Sequence, residues 1–365
     1  MLKLTIEMKI FFDARYIRTD FHDGISRYGA ELGLALSKLT PVTFMICDEA
    51  QKKLLPPDAN CILIHKPTSA KEPFTSLILN RYHPDVVFSP MQTMGSFGHR
   101  FKLILTIHDL IYFHHPIPPR QLSFAVRVGW RIFHMSYIPE RIVLNGADAI
   151  VTVSEMTKKE LIKVRATYKS ITVVPDAPQK LLELTSKPVN HDKTGPRNLV
   201  YMGSFMPYKN AETLIASMHW LPNHTLHLLS RITPKRKAEF MANMPANAHV
   251  VFHNGVTDEQ YATLLADNAV LVTASRDEGY GLPIAEALAM GVPAVVSELP
   301  IFHEVAGEGA LYADPNNPHD FADNILKLDD TELREAIIEK GTQHIKQFSW
   351  PISAQILLDL AKSLV

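Results

Sequence analysis

Residues 275–297 read Ser-Arg-Asp-Glu-Gly-Tyr-Gly-Leu-Pro-Ile-Ala-Glu-Ala-Leu-Ala-Met-Gly-Val-Pro-Ala-Val-Val-Ser. The apolar run Val270–Thr273 just before them predicts a buried strand, and Pro283 favours the first turn of a helix. Gly279 and Gly281 in the intervening loop allow the backbone to approach a ligand closely. The N–H groups that open the helix favour an anion such as a phosphate. This stretch therefore predicts a strand–loop–helix unit of an α/β fold, with a candidate anion site at its loop.

Two carboxylates accompany this helix start. Glu278 precedes the turn, and Glu286 follows eight residues later inside the helix. The loop and the first turn can bring both to one mouth of a site, where they would accept hydrogen bonds from the hydroxyls of a sugar and of a ribose. Paired carboxylates also suit glycoside hydrolysis, but the flanking phosphate-type loop has no use in that reaction. Surface glutamates are common, so the pattern by itself leaves a solvated pair open.

The same alternation of strand and helix runs along the whole chain. Short apolar runs alternate with helix-period segments, which is typical of a parallel sheet wrapped by helices. Residues 173–198, with four prolines and a polar centre, predict a linker. The sequence thus predicts two Rossmann-like α/β halves, with ligands at the carboxyl ends of the strands, in the cleft between facing halves. The predicted strands are Lys9–Asp13, Val42–Cys47, Asp85–Ser89, Lys102–Ile107, Ala149–Ser154, Ile171–Val174, Asn198–Met202, Leu226–Leu229, Val250–Phe252, Val270–Thr273, Pro293–Ser297 and Ala310–Tyr312, and the clearest helices are Ser26–Leu39, Glu155–Lys163, Ala211–Met218 and Asp258–Ala266.

The composition excludes several classes of protein. With 365 residues, 46% of them apolar and 21% charged, the chain suggests two domains and lies far from disordered sequences. No apolar run reaches the roughly 18–20 residues of a membrane-spanning helix, and the N-terminus lacks the order of a signal peptide. Two cysteines, Cys47 and Cys61, cannot form a disulfide framework or a four-cysteine zinc site. Secreted scaffolds and integral membrane proteins are excluded, and a cytoplasmic protein is expected.

The two halves differ in charge. Residues 1–185 contain 23 Lys and Arg against 17 Asp and Glu, and the remainder contains 14 against 21, which sum to the net charge of −1. The basic half could face an anionic acceptor or a membrane surface, or the difference could be ordinary variation on solvated faces. Outside residues 119–142 the basic residues are scattered, with no run and no aromatic-interleaved stripe, so no nucleic-acid partner is expected.

Residues 119–142 combine basic and apolar side chains. Arg120, Arg127 and Arg131 alternate with Phe124, Val128, Trp130, Ile132 and Phe133. On a helix they could form a face suited to an anionic lipid surface or a lipid-linked acceptor, giving peripheral membrane contact. The apolar residues could equally face the core, and the sequence leaves both interpretations open.

Residues 275–297 closely resemble the E-x7-E signature of the large retaining nucleotide-sugar glycosyltransferase family with the GT-B fold, which includes bacterial mannosyl- and glucosyltransferases. The resemblance covers almost the whole chain and is looser over residues 50–100 and 115–145. Further matching segments are Val200–Asn210 (a strand, Gly loop and Lys-Asn), Phe252–Asp258 (a base-proximal loop), Pro300–Pro315, Phe348–Trp350 before a final helix, Gly24–Tyr28 and Thr106–Asp109.

The resemblance implies a domain plan and a set of roles. An acceptor-binding Rossmann-like domain would span residues 1–185, a donor domain residues 186–349, and a tail helix at 350–365 would cross back to the first domain. Glu278 would hold hydroxyls of the donor sugar, Glu286 the ribose, and Lys209 the diphosphate as the glycosidic bond breaks. Catalytic roles fall to His108, Lys209 and Glu278, and donor-binding roles to Gly24, Gly203, Ser204, Asn210, Val256, Gly279, Tyr280, Gly281, Leu282 and Glu286.

The position of His108 in the sequence also supports an interpretation that is independent of the resemblance. It follows the apolar strand ending at Ile107, so it should emerge at a carboxyl end, although a lone histidine is more often structural. The resemblance implies a contact with the donor sugar. Its neighbour Asp109 could be a general base, but capping of the turn is the expected role.

One departure from the family pattern concerns the diphosphate. Many members carry an arginine at the positions occupied here by Ser204 or Tyr208. Either Arg276, Arg27 or another basic residue substitutes, or Lys209 and backbone amides suffice. No Asp-x-Asp motif occurs, so no metal and no cofactor are expected beyond the nucleotide sugar, GDP- or UDP-linked.

The resemblance thus implies retaining transfer of a hexose, mannose-type by analogy, to a glycan, lipid-linked or small-molecule acceptor. Two alternatives remain open at this point. One is a sugar-nucleotide epimerase on the same fold, and the other is a non-catalytic sugar-nucleotide-binding partner of an active transferase.

Overall fold

The computed structural model describes residues 8–20, 23–118, 123–190 and 197–365. The chain forms two compact units, one of Met1–Asp176 with Phe348–Val365 and one of Ala177–Gln347. The first unit ends nine residues before the predicted domain boundary at 185. The reason is a 3₁₀ turn, Leu181–Leu184, that packs on a helix of the second unit and buries Leu181 there.

The first unit is a seven-stranded parallel sheet. Its strands are β1 (Ile10–Asp13), β2 (Val42–Ile46), β3 (Asn60–Leu63), β4 (Val86–Ser89), β5 (Lys102–Ile107), β6 (Ala149–Thr152) and β7 (Ile171–Val173), in the order β3-β2-β1-β4-β5-β6-β7. Its helices before the second unit are α1 (Gly24–Ser37), α2 (Thr75–Leu79), α3 (Ile111–His114), α4 (Phe124–Phe133), α5 (Ile138–Asn145) and α6 (Glu155–Lys163). Strands β1, β4 and β6 are buried throughout, as expected when helices cover both faces of a parallel sheet.

The second unit repeats this architecture with six parallel strands. The strands are β8 (Asn198–Tyr201), β9 (Thr225–Leu228), β10 (His249–Phe252), β11 (Ala269–Thr273), β12 (Ala294–Ser297) and β13 (Ala310–Ala313), in the order β10-β9-β8-β11-β12-β13. The helices are α7 (Ala211–Ser217), α8 (Pro234–Ala242), α9 (Asp258–Leu265), α10 (Leu282–Ala289), α11 (Pro300–Ala306), α12 (Pro318–Lys327) and α13 (Thr331–Ile345). The exits of β8 and β11, adjacent in the sheet, therefore lie side by side at one edge.

The last helix, α14 (Trp350–Leu364), belongs to the first unit and packs on α1. The Trp350 ring lies 6.0 Å from the ring of Tyr28, edge to face. Ser353 Oγ donates a 2.7 Å hydrogen bond to the carbonyl of Pro175, just before the chain enters the second unit. The predicted return of the tail helix to the first domain is thus confirmed.

All twelve predicted strands are present within one or two residues, and the described residues contain one further strand, β3, that was not predicted. This strand pairs with β2 at the sheet edge, and its two end residues are exposed. Its apolar alternation is short and follows Pro56 and Pro57, which conceals the strand signal. Within the described ranges, no helix has both the length and the apolar character that a membrane crossing needs.

Candidate active site

The loop after β8 carries Gly203 and Ser204 and is supported from below by a tyrosine. The hydroxyl of Tyr201, the last residue of β8, donates a 2.7 Å hydrogen bond to the carbonyl of Ser204. Burial raises the pKa of Tyr201 well above its usual value, so the hydroxyl remains a donor. A Cβ on Gly203 would lie 2.8 Å from that hydroxyl oxygen. Glycine is therefore needed for this loop to rest on Tyr201, while the Ser204 side chain is exposed.

Asn210 fixes the end of the same loop. Its backbone is left-handed, at φ 53° and ψ 39°, a conformation that asparagine tolerates better than most residues. Its buried amide donates to the carbonyls of Ala274 and Pro315, at 2.9 and 2.7 Å, and accepts from Thr213 Oγ1 at 3.0 Å. The side chain of Asn210 is thus used within the protein, and it positions the residue before it, Lys209.

Lys209 reaches across to the loop that follows β11. Its Nζ donates a 2.6 Å hydrogen bond to Glu278 Oε1, and both side chains are mostly buried. Ser275 Oγ donates to the same carboxylate oxygen at 2.8 Å. Among the described residues, none donates a hydrogen bond to Glu278 Oε2. The pair therefore presents one cation and one unengaged acceptor oxygen side by side.

Arg276 joins these two loops through its backbone. Its N–H donates to the carbonyl of Tyr208 at 2.7 Å, next to Lys209. Its exposed guanidinium donates from Nε to Asn316 Oδ1 at 3.2 Å. Of the candidate substitutes for the missing arginine, Arg276 therefore lies beside the Lys209 loop, whereas Arg27 lies on α1 of the other unit.

The helix start predicted from residues 275–297 is present as α10. Gly281 precedes it with a left-handed backbone, at φ 102° and ψ 50°, and no side chain in the described part of the chain caps the helix. The first N–H groups, at Gly281 and Leu282, are therefore available for an anion. Gly279 and Tyr280 before them are buried. Glu286 lies one turn after Leu282 on the same helix and is buried too, so it is no ordinary surface glutamate.

Val256 lies in the loop between β10 and α9, beside a cavity of ≈ 440 Å³. Asn254 and Gly255 adopt successive left-handed conformations, at φ 57° and φ 106°, which turn the chain sharply. Asn254 Oδ1 accepts from the N–H of Ile232 at 3.0 Å, which ties the loop to the exit of β9. The volume is within the range of small-ligand pockets. The lining residues are His253, Gly255, Val256, Glu259, Gln260, Thr263 and Leu264.

His108, in the first unit, lies directly after β5 as predicted. Its Nε2 lies 2.8 Å from the carbonyl of Pro90, which can only accept, so Nε2 carries the proton. Burial lowers the pKa of His108, which keeps the imidazole neutral at pH 7 and leaves Nδ1 as an acceptor. The ring packs edge to face on Tyr28, with 5.1 Å between centroids. Tyr28 is itself held by a 3.2 Å hydrogen bond to the carbonyl of Val174.

Asp109, next to His108 in the chain, and Gly24 both have structural roles at helix starts. Asp109 Oδ1 accepts from the N–H of Ile111 at 3.0 Å, so the expected capping role is confirmed. Gly24 is the first residue of α1, after Asp23, whose side chain accepts from the N–H of Ser26 at 2.9 Å. Gly24 is exposed and lies at a helix N-terminus, as the strand-to-helix loop predicted.

Two family matches and three similar proteins bear on these features. Residues 23–177 match the family Glycosyltransferase Family 4, and residues 184–344 match Glycosyl transferases group 1. The chain is 28% identical over 267 residues to O-antigen chain mannosyltransferase B of Escherichia coli, covering 68% of this chain and 67% of that protein. Sucrose-phosphate synthase from Thermosynechococcus elongatus has a similar structure, with a TM-score of 0.75, 19% identity, and 98% and 99% of the two chains covered. The structure of HepE of Anabaena in complex with UDP and glucose is similar too, with a TM-score of 0.72 and 16% identity. The match covers 98% of this chain and 100% of that one. The chain belongs to the GT-B glycosyltransferases.

Several residues that shape the site of this glycosyltransferase were missed by sequence reasoning. Ser275 shares the Glu278 carboxylate with Lys209, Tyr201 supports the Gly203 loop, and Tyr28 packs on the His108 ring. Ser275 and Tyr28 were part of the quoted motifs. Ser275 contacts Glu278 within its own motif, whereas Tyr28 meets His108 far along the chain. Nothing local in the sequence indicates which carbonyl or ring a side chain will reach.

The described part of the glycosyltransferase contains no group of three or more His, Cys, Asp or Glu side chains that could hold a metal ion. The ammonium of Lys209 contacts Glu278, and the positive start of α10 follows a few residues later in the chain.

Proposed function

We propose that this glycosyltransferase transfers a hexose from a nucleotide diphosphate sugar to a glycan, lipid-linked or small-molecule acceptor, with retention at the anomeric carbon. The observation that carries the proposal is the 2.6 Å contact between Lys209 Nζ and Glu278 Oε1. A ligand that engages both side chains must carry an anionic group and a hydroxyl a few ångströms apart. A hexose linked through its anomeric carbon to a diphosphate meets this requirement.

Each side chain then has a distinct task. Glu278 accepts hydrogen bonds from sugar hydroxyls, for which its Oε2 is suited. Lys209 lies against the diphosphate, where negative charge grows on the leaving oxygen as the glycosidic bond breaks. That interaction is stronger in the transition state than in the ground state, which is the condition for catalysis.

Retention is proposed to proceed by same-face attack through an oxocarbenium-like state, without a protein nucleophile. Glu278 is poorly suited to act as one, because Oε1 already accepts from Lys209 and Ser275. Those two hydrogen bonds stabilise the carboxylate charge and reduce its nucleophilicity. His108, neutral with Nδ1 as an acceptor, is proposed to contact the donor sugar.

The diphosphate is proposed to be neutralised without a metal. Lys209 and the uncapped start of α10 would supply the positive charge. Arg276 is proposed as the second cation, since its backbone joins it to the Lys209 loop and its guanidinium is exposed. Activity and donor binding should therefore persist in EDTA.

The nucleoside is proposed to bind between the Val256 loop and the buried Glu286, with the ribose on Glu286. A mannose-type donor is favoured because the relative from Escherichia coli is named a mannosyltransferase. The cytoplasm, where nucleotide sugars are available, is the proposed place of action.

A thermal-shift screen of nucleotide diphosphates and their sugars, with and without EDTA, tests the donor site. A ligand of the native state raises the melting temperature by mass action. We expect a shift with GDP or UDP compounds that survives EDTA and is reduced in Glu286→Ala. No shift with any nucleotide would overturn the transferase proposal. A shift without transfer to any acceptor would favour a non-catalytic binding protein, and a changed sugar configuration without transfer would favour an epimerase.

A further inference from the structure

Helix α5 exposes isoleucines and buries a carboxylate, the reverse of an ordinary surface helix. Ile138 and Ile142, four residues apart, are 60% and 71% exposed. Glu140, on the opposite side, is 1% exposed, and its Oε1 has no hydrogen-bond partner among the described residues. Burial raises the pKa of Glu140 to about 7. A helix with this arrangement is well matched to an apolar partner rather than to water.

Helix α4, just before α5, has an exposed apolar stripe as well. Phe124, Val128 and Ile132 are spaced four residues apart and so lie on one side, and Phe124 and Ile132 are 81% and 62% exposed. Met135, after the helix, is 82% exposed. No α4 residue with described exposure is buried. We call Phe124, Val128, Ile132, Met135, Ile138 and Ile142 the α4–α5 face.

The helices are nevertheless fixed to the unit beneath them. The Trp130 ring stacks on His134, with 4.0 Å between centroids, and meets Tyr112 edge to face at 5.1 Å. Arg141 donates to the carbonyls of Arg165 and Val164, at 2.7 and 3.0 Å. The exposed apolar residues therefore belong to a packed element.

The charged side chains of helix α4 are all basic. Arg127 and Arg131 lie on α4 next to the apolar stripe, and Arg131 is exposed. From residue 110 to residue 147 the sequence contains one carboxylate, Glu140, and that one is buried. Arg120, which the sequence analysis included, lies outside the described residues. A second copy of the chain is disfavoured as the occupant, because a symmetric contact would bring these arginines together.

We propose that the α4–α5 face is a docking surface for an anionic lipid bilayer. The apolar side chains enter the boundary between headgroups and acyl chains, and Arg127 and Arg131 meet lipid phosphates. Half-buried Trp130 and exposed Tyr112 suit the interfacial level, where aromatic side chains with a polar end are favoured. From the sequence, the apolar residues of 119–142 could equally have faced the core. In the structure, Phe124, Val128 and Ile132 are exposed. The proposal does not depend on the transferase activity.

Vesicle co-sedimentation of the full chain without sugar nucleotide tests the proposal. The probes are vesicles of phosphatidylglycerol mixed with phosphatidylcholine and vesicles of phosphatidylcholine alone. We expect binding to the anionic vesicles that weakens with salt and is much weaker on the neutral ones. Ile132→Glu and Ile142→Glu should each reduce the vesicle affinity about tenfold or more.

Ile162→Glu on α6 is the matched control, because Ile162 is 59% exposed and lies in the same unit away from this face. It should bind vesicles as the parent chain does. Equal binding by all three variants, or equal binding to neutral and anionic vesicles, would overturn the proposal. Sedimentation of the protein alone provides a further check, since a dimer lost in Ile132→Glu would assign the face to a second copy instead.

Discussion

Lys209 is the residue on which the proposed chemistry depends most. Removing its ammonium withdraws a charge-assisted hydrogen bond of about 1.5–3 kcal/mol from the departing diphosphate. Lys209→Ala should therefore lower kcat/KM by about 10- to 150-fold. Lys235→Ala, an exposed lysine on α8, is the control and should leave the rate unchanged. Steady-state kinetics on the identified donor and acceptor measure both, and equal rates for the two variants would show that Lys209 does not act on the leaving group.

Glu140 makes the stability of the chain depend on pH. Its pKa is about 7 in the folded chain against 4.5 as the usual value, so the folded state holds the proton more tightly. The free energy of unfolding should fall by at most about 3 kcal/mol as the pH rises from about 4.5 to about 7. It should stay low above pH 7. Glu140→Gln should remove this fall, so that it is more stable than the parent at pH 8 and similar at pH 4.5. Denaturant unfolding at the two pH values measures the difference. If the free energy of unfolding changed with pH by the same amount in parent and variant, the prediction would be wrong.

At the scale of elements, α10 depends on the left-handed backbone of Gly281. A Cβ there would be strained by φ 102° and would lie 3.0 Å from the ring of Phe302. Gly281→Ala should lower the free energy of unfolding by about 1–3 kcal/mol and weaken nucleotide binding. Gly129→Ala is a matched control, since Gly129 lies inside α4 with nothing within 4 Å of an added Cβ. It should stabilise the chain by about 0.5–1 kcal/mol. Urea unfolding of both variants measures the change in the free energy of unfolding. A change of the same sign in both would refute the argument from backbone conformation.

The elements of the fold could largely be predicted from the sequence, because their signals are local. Buried strands such as β6 are continuous apolar runs, and the glycines and Pro283 mark the start of α10. The exposed face of α5 could not be predicted in this way. In general an isoleucine is expected in the core and a glutamate at the surface, and tertiary packing reverses this at Ile138, Ile142 and Glu140. The same limit applies to the site, where the contact of Lys209 with Glu278 joins residues far apart in the chain.

At the scale of the whole molecule, the chain leaves the first unit after Asp176 and returns to it at Phe348. The packing of α14 on α1 therefore forms only after the second unit has been traversed. Trp350 is largely buried in this contact and lies against Tyr28, which in turn supports His108. The last helix thus connects the end of the chain to a predicted catalytic residue.

Trp350→Ala should destabilise the first unit by about 3 kcal/mol or more, because it leaves a large cavity against Tyr28. Amide hydrogen exchange should show faster exchange in α1 and β5, while β8 and β11 of the second unit keep their protection. Ile352→Ala, on the exposed side of α14, is the control. It should change neither the stability of the first unit nor the exchange rates in α1 and β5. Uniformly faster exchange in both units would mean that they unfold as one. Unchanged exchange in α1 would mean that α14 contributes little to the first unit, and that the His108 environment is fixed by Tyr28 and Pro90 without it.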